Sequence, residues 1–155
     1  MKTLLSENNQ FNGNLREFNA VLQFIPYFID IEEDDYITYF PDRRFEYTPR
    51  FYEFIEALNK TGLVEDEQSM QTFLDEACFQ IDACSRFSMW VREMNRVICR
   101  PELLQQSGLS FLRKAFFTLI HLEKQIPGSW GIDAEVGTWL KLLRRLQKIV
   151  DELQA

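Results

Sequence analysis

SMQTFLDEACFQIDACSRFSMWVREMNRVICR, residues 69–100, contains neither glycine nor proline. Within it Met70, Phe73, Leu74, Ala77, Cys78, Ile81, Cys84, Val91, Met94 and Ile98 keep the three- and four-residue spacing that places side chains on one face of a helix. The pattern predicts either one long helix or two, broken near Asp82–Ser85. Pro101 ends the run, because the residue before a proline is pushed out of helical geometry.

The same periodicity extends in both directions. Upstream, Leu15, Phe18, Leu22 and Ile25 form one face, with Asn14 as a candidate cap and a stop or kink expected at Ile25–Pro26. Thr48 reads as an N-cap with Pro49 at the first helical position, ahead of Phe51, Phe54, Ile55 and Leu58. Gly62 then reads as a left-handed C-cap. Glu65, Asp66 and Glu67 precede Ser69, where negative charge favours the positive end of the following helix. Downstream, Ser110 is a candidate cap for a helix to about Gln125. Pro127-Gly128 is a turn. Asp133 is expected to cap a last helix striped by Val136, Leu140, Leu143, Leu146, Ile149 and Val150. Residues 36–47 are the exception. Tyr36-Ile37-Thr38-Tyr39-Phe40 and Phe45-Glu46-Tyr47 flank Pro41-Asp42, which fits a short β-hairpin or an extended aromatic loop. The fold expected is mainly α: a single-domain bundle of about five to six helices over residues 14–155, preceded by a flexible arm at 1–13 rich in Asn.

Composition narrows the function classes. The chain has 155 residues, 46% of them apolar, with 14 phenylalanines and a net charge of −7. No apolar run is long enough for a membrane span, and the first ten residues turn polar too soon for a signal peptide. Cys78, Cys84 and Cys99 form no C-x-x-C pair and read as small buried apolar residues, which favours a reducing cytoplasm. With His121 the only histidine, zinc-ligand spacing is absent. No cofactor or metal is expected. Charge is uneven: residues 1–80 hold 6 basic and 16 acidic side chains, residues 81–155 hold 11 and 8. The total disfavours nucleic-acid binding over the whole surface, but it leaves room for a basic face in the second half.

Three sets of residues are candidates for interaction. Asp30, Glu32, Glu33, Asp34 and Asp35 form an acidic turn. It lacks the spacing of a calcium loop and is complementary to a basic partner surface. Arg92, Arg96 and Arg100 recur every four positions, and Lys141, Arg145 and Lys148 at i, i+4 and i+7, so each set follows one helix face and reads either as a solvated back or as a patch for phosphates or acidic protein. Trp130, in a Pro-Gly-Ser-Trp-Gly turn, is either an exposed anchor or a ring tucked over a helix end. For catalysis the nearest approach is Arg113 or Lys114 with His121, a spacing close to that of helical HEPN-type ribonucleases but longer from Arg113. Asp75, Glu76 and Asp82 do not give the paired E-x-x-E/D arrangement of helical pyrophosphohydrolases. No glycine-rich phosphate loop or nucleophile–histidine motif is present.

Phe24–Phe28, Tyr47–Val64, Leu109–Lys114 and Leu140–Leu146 together resemble a family of small, mostly helical bacterial and phage proteins of unknown function, over roughly residues 18–150. The family's charged segment and glycine after the penultimate helix are replaced here by Lys124–Trp130, and its tryptophan-rich stretch after Gly62 is missing. The resemblance implies a helical prokaryotic or phage domain and carries no activity or site residues. The function expected is a non-catalytic protein-interaction domain: an inhibitor, immunity or anti-defence protein, or a small subunit of a complex, with a protein partner and with homo-oligomerisation open. The alternatives are a nucleic-acid-proximal helical subunit and a HEPN-like or metal-dependent hydrolase.

Overall fold

The computed structural model describes residues 15–77 and 82–154, with residues 83 and 84 as backbone only. The expected arm at 1–13 and the Asn14 cap lie outside the described residues. In chain order the elements are α1 (Leu15–Leu22), α2 (Ile25–Phe28), α3 (Glu33–Tyr36), β1 (Ile37–Tyr39), β2 (Phe45–Tyr47), α4 (Pro49–Asn59), α5 (Glu67–Ala77), α6 (Ala83–Ile98), α7 (Pro101–Leu104), α8 (Leu109–Gln125), α9 (Ser129–Glu135) and α10 (Thr138–Gln154). Six of these helices have eight residues or more. The fold is mainly α with a two-stranded hairpin, as the hydrophobic spacing predicts.

Residues 69–100 form two helices rather than one. Asp82 takes extended geometry, with φ −59° and ψ 152°, and its carboxylate accepts from Ser85 N–H at 3.2 Å as the N-cap of α6. Asp66 does the same for α5, accepting from Ser69 N–H at 2.7 Å and Ser69 Oγ at 2.8 Å. Those bonds hold the Asp66 carboxyl below its ordinary range. The hairpin of residues 36–47 is formed, with Ile37 opposite Tyr47 and Tyr39 opposite Phe45. Arg43 closes its turn at φ 72°.

α10 is the helix on which the others assemble. It packs against α1, α2, α6, α8 and α9. Trp139, Leu142, Leu143, Leu146 and Ile149 on it are fully buried. Each contributes roughly 1.5–3 kcal/mol of burial free energy before entropy is counted. The Trp139 ring meets Phe28, Phe51, Phe54 and Phe116. Four phenylalanines thus meet in one aromatic centre shared by α2, α4, α8 and α10. Two polar ties fix the layers. Trp90 Nε1–H donates to Thr118 Oγ1 at 2.7 Å, joining α6 to α8. The Glu123 carboxylate of α8 accepts from Tyr47 O–H at 2.6 Å, Gly128 N–H at 2.8 Å and Trp130 N–H at 3.0 Å. It thereby joins the hairpin and the start of α9. Burial first, and the Glu123 bond second, push the Tyr47 phenol up.

Several local expectations shift. Pro26 does not stop a helix at Ile25. The break comes earlier, after Leu22, and Pro26 sits in the first turn of α2, where a missing N–H costs nothing. Thr48 is the N-cap of α4 by position, but its hydroxyl donates to Asp35 O at 2.8 Å instead of capping. Gly62 does not adopt positive φ; among the described residues the glycines that do are Gly128 and Gly137. The end of α4 is instead served by the Thr61 hydroxyl, which donates to Leu58 O at 2.9 Å. α8 starts one residue before Ser110, at Leu109, with Gly108 as its N-cap. Ser129–Gly131, read as part of a turn, are instead the first residues of α9. Asp133 lies inside that helix, and α10 begins only at Thr138. Val136, expected inward, is 62% exposed at the end of α9.

Candidate functional site

A groove runs between the end of α6, the short α7 and the middle of α10. Ile98, Cys99, Pro101, Leu104 and Gln105 form one wall; Lys141, Arg144, Arg145 and Lys148 form the other, around a cavity of about 200 Å³. Local sequence explains both walls. Pro101 forces Arg100 into extended geometry and restarts the chain as a single turn. That turn places Leu104 beside Ile98. On α10, the buried stripe Leu142, Leu146, Ile149 turns cationic at its edge, where Lys141, Arg144 and Lys148 are exposed at i, i+3 and i+7. None of the three has an ion-pair partner among the described residues.

Arg145 differs from the rest of its predicted row. It is 5% exposed, so it belongs to the groove's floor and not to an exposed face. Its Nε–H donates to Ser107 O at 2.8 Å. Nη2 is buried without a hydrogen-bond partner among the described residues. Burial lowers its pKa from the ordinary guanidinium value, and the Glu152 carboxylate opposes that shift. An unpartnered buried polar group costs about 1–3 kcal/mol, and more when charged. In the sequence Arg145 stands at the border of the apolar stripe, three residues after Leu142 and four before Ile149, a position open to either core or solvent. Arg144 and Cys99 are further groove residues that the spacing argument missed. Cys99 is exposed, not buried as expected. Cys78 lies outside the described residues, as does the side chain of Cys84.

None of the α6 arginines lines the groove. Arg92 borders a separate cleft with Phe73, Ala77, Met89, Trp90 and Glu93. Arg96 is paired with Glu93 on the same helix, its Nε–H donating to Oε2 at 2.9 Å. Arg100 is exposed at the turn between α6 and α7.

The acidic turn is exposed and serves the backbone. The Glu32 and Asp35 side chains form a reciprocal capping box around α3, with Glu32 N–H donating to Asp35 Oδ2 at 2.9 Å. Asp30 takes φ 54°, and Glu33 and Asp34 fill the first turn of α3. No group of three or more metal-ligating side chains occurs among the described residues. Trp130 is a half-buried ring on α9, not an exposed loop anchor. Its Nε1–H lies 3.1 Å from both Leu119 O and Ile120 O, and its ring stacks on Phe51 at 5.9 Å and 9°.

Arg113, Lys114 and His121 are not brought together. Arg113 pairs with Glu65 at 3.1 Å, and Lys114 approaches the same carboxylate at 3.9 Å while its ammonium donates to Ser110 Oγ at 2.6 Å. Two turns on, His121 Nδ1 is 2.8 Å from Phe117 O, with its ring stacked on Phe117 at 3.9 Å.

Comparisons of the chain with protein-family models, curated proteins and solved structures each return no match. No helix among the described residues is long and apolar enough to cross a membrane.

Proposed function

We propose that this chain is a non-catalytic protein-interaction domain that docks an acidic, apolar segment of a partner protein in the α6–α7–α10 groove, inside a reducing compartment. One observation carries the reading. In a chain of net charge −7, Lys141, Arg144 and Lys148 stand without ion-pair partners among the described residues, over an apolar wall of Ile98, Pro101 and Leu104. Complementary charge selects an acidic segment and speeds its encounter, and the apolar wall retains it. The commitment of Arg113 and Lys114 to Glu65, away from His121, supports the absence of a hydrolytic centre. The groove's apolar wall, with no α6 arginine in its lining, supports protein over nucleic acid, whose backbone is held by rows of phosphate contacts.

The test uses acidic amphipathic peptides blocked at both ends, titrated against the full chain at low salt. Binding should protect Cys99 from a maleimide, with the Cys99→Ser variant giving the background from the other thiols. The Lys141→Glu, Arg144→Glu, Lys148→Glu triple variant should weaken binding by about tenfold or more. A triple variant that binds these peptides as well as wild type, or an oligonucleotide that protects Cys99 more strongly, would overturn the proposal.

A further inference from the structure

The groove holds one feature that docking of an acidic segment does not require: a guanidinium 5% exposed, tied to Ser107 O through Nε, its Nη2 without a partner among the described residues. A rim of solvated lysines would supply charge complementarity without it. A buried cation with a spare donor directions the choice toward a ligand that brings an anion into an apolar site.

Three properties of the cavity define that ligand. Its volume, about 200 Å³, is below the roughly 300–1,000 Å³ of pockets that enclose drug-sized molecules, so it suits one side chain and its neighbouring backbone. Its inner wall is Ile98, Pro101 and Leu104, which asks for an aliphatic group. Its floor holds one guanidinium nitrogen, Nη2, that is both buried and unpartnered among the described residues, a place for one carboxylate oxygen. An acidic residue within a helix presents its carboxylate and the nearest apolar side chain from different residues, about 5–6 Å apart at Cβ. The last residue of a polypeptide carries both on one Cα.

We infer that the groove receives the free C-terminus of a partner polypeptide ending in an aliphatic residue, with the α-carboxylate on Arg145 and the terminal side chain against Ile98, Pro101 and Leu104. This rests on the reading of the groove as a protein-docking surface. Lys141, Arg144 and Lys148 then meet the acidic residues that precede the terminus. Nη2 is buried, so the carboxylate reaches it by rotation of groove side chains, a common scale of change on binding.

The experiment compares three fluorescein-labelled peptides on the wild-type chain: Glu-Asp-Glu-Ala-Leu-Leu as the free acid, the same peptide as its C-terminal amide, and a free acid with the last leucine replaced by glycine. The free acid ending in leucine should bind about tenfold more tightly than either of the others. Arg145→Met should bring the acid-to-amide ratio close to one. Free acid and amide binding within about twofold of each other on wild type would overturn the inference and leave the docking reading standing. So would binding only to the doubly blocked peptides described above. No binding by any of the peptides, blocked or free, would remove both. If Arg145→Met fails to fold, the wild-type ratio alone decides.

Discussion

Replacing Arg145 by methionine separates a structural role from a binding role. The substitution keeps an unbranched stem of similar reach through the groove floor and removes the guanidinium. The bond from Nε–H to Ser107 O, at 2.8 Å, is lost. A hydrogen bond to a charged group contributes about 1.5–3 kcal/mol. Ser107 is half-buried, so water can serve its carbonyl in the variant. Against that loss, the variant no longer buries a cation at 5% exposure with one nitrogen unpartnered. Relief of an unpartnered charged donor returns at least about 1–3 kcal/mol. Replacing buried ionic groups by well-packed apolar ones is often neutral or stabilising by about 1–4 kcal/mol. The expected outcome is a chain as stable as wild type, or more stable by up to about 2 kcal/mol, with its thermal midpoint raised by up to about 4–8 °C. Urea unfolding followed by circular dichroism measures the stability. A loss of more than about 2 kcal/mol would refute the reasoning, since Arg145 would then be a strut holding α10 to the α7–α8 loop.

Glu123→Ala should destabilise the chain by about 3–5 kcal/mol, because it strips the partner from the Tyr47 hydroxyl and from the N–H groups of Gly128 and Trp130 together. Urea titration followed by tryptophan fluorescence reads this, and Glu123→Gln should recover part of it. Asp133 has its pKa raised to about 6 by burial, with the Glu123 charge adding and the Thr138 hydroxyl opposing. A raised carboxyl pKa means that the native state holds the proton more tightly. The stabilisation is therefore complete below the ordinary value of 3.8 and is lost as pH rises through about 6. At most about 3 kcal/mol is involved. Asp133→Asn should thus gain stability over wild type at pH 7.5 and little at pH 4, as measured by unfolding at both pH values.

The oily stripes were enough to announce a mainly helical chain and most of its helices, because burial at three- and four-residue intervals is a local property that survives tertiary packing. Around Pro41-Asp42 the aromatic and β-branched residues left a hairpin and an extended loop both open, and cross-strand pairing decided for the hairpin. The stop at Leu22 was harder to read, and so was the group that closes the helix after Asn59. A turn there is closed by particular hydrogen bonds, such as Thr61 to Leu58 O, that compete on nearly equal terms with the glycine and proline signals. The helix at Ser129–Glu135 went unseen because it is held from outside, by the Glu123 carboxylate on its first N–H groups and by Trp130 against Phe51.

The groove belongs to the tertiary structure. Its walls come from residues 98–105 and 141–148, brought side by side by the packing of α6 and α7 near α10. By itself the sequence determined that Lys141, Arg145 and Lys148 follow one side of a helix. Only packing decided that Arg145 would be enclosed while Arg144 took its place on the exposed edge. The reason is angular: at 3.6 residues per turn a side chain at the border of a stripe is committed to core or solvent by the neighbour that covers it, and that neighbour, the α7–α8 loop with Ser107, comes from 38 residues away.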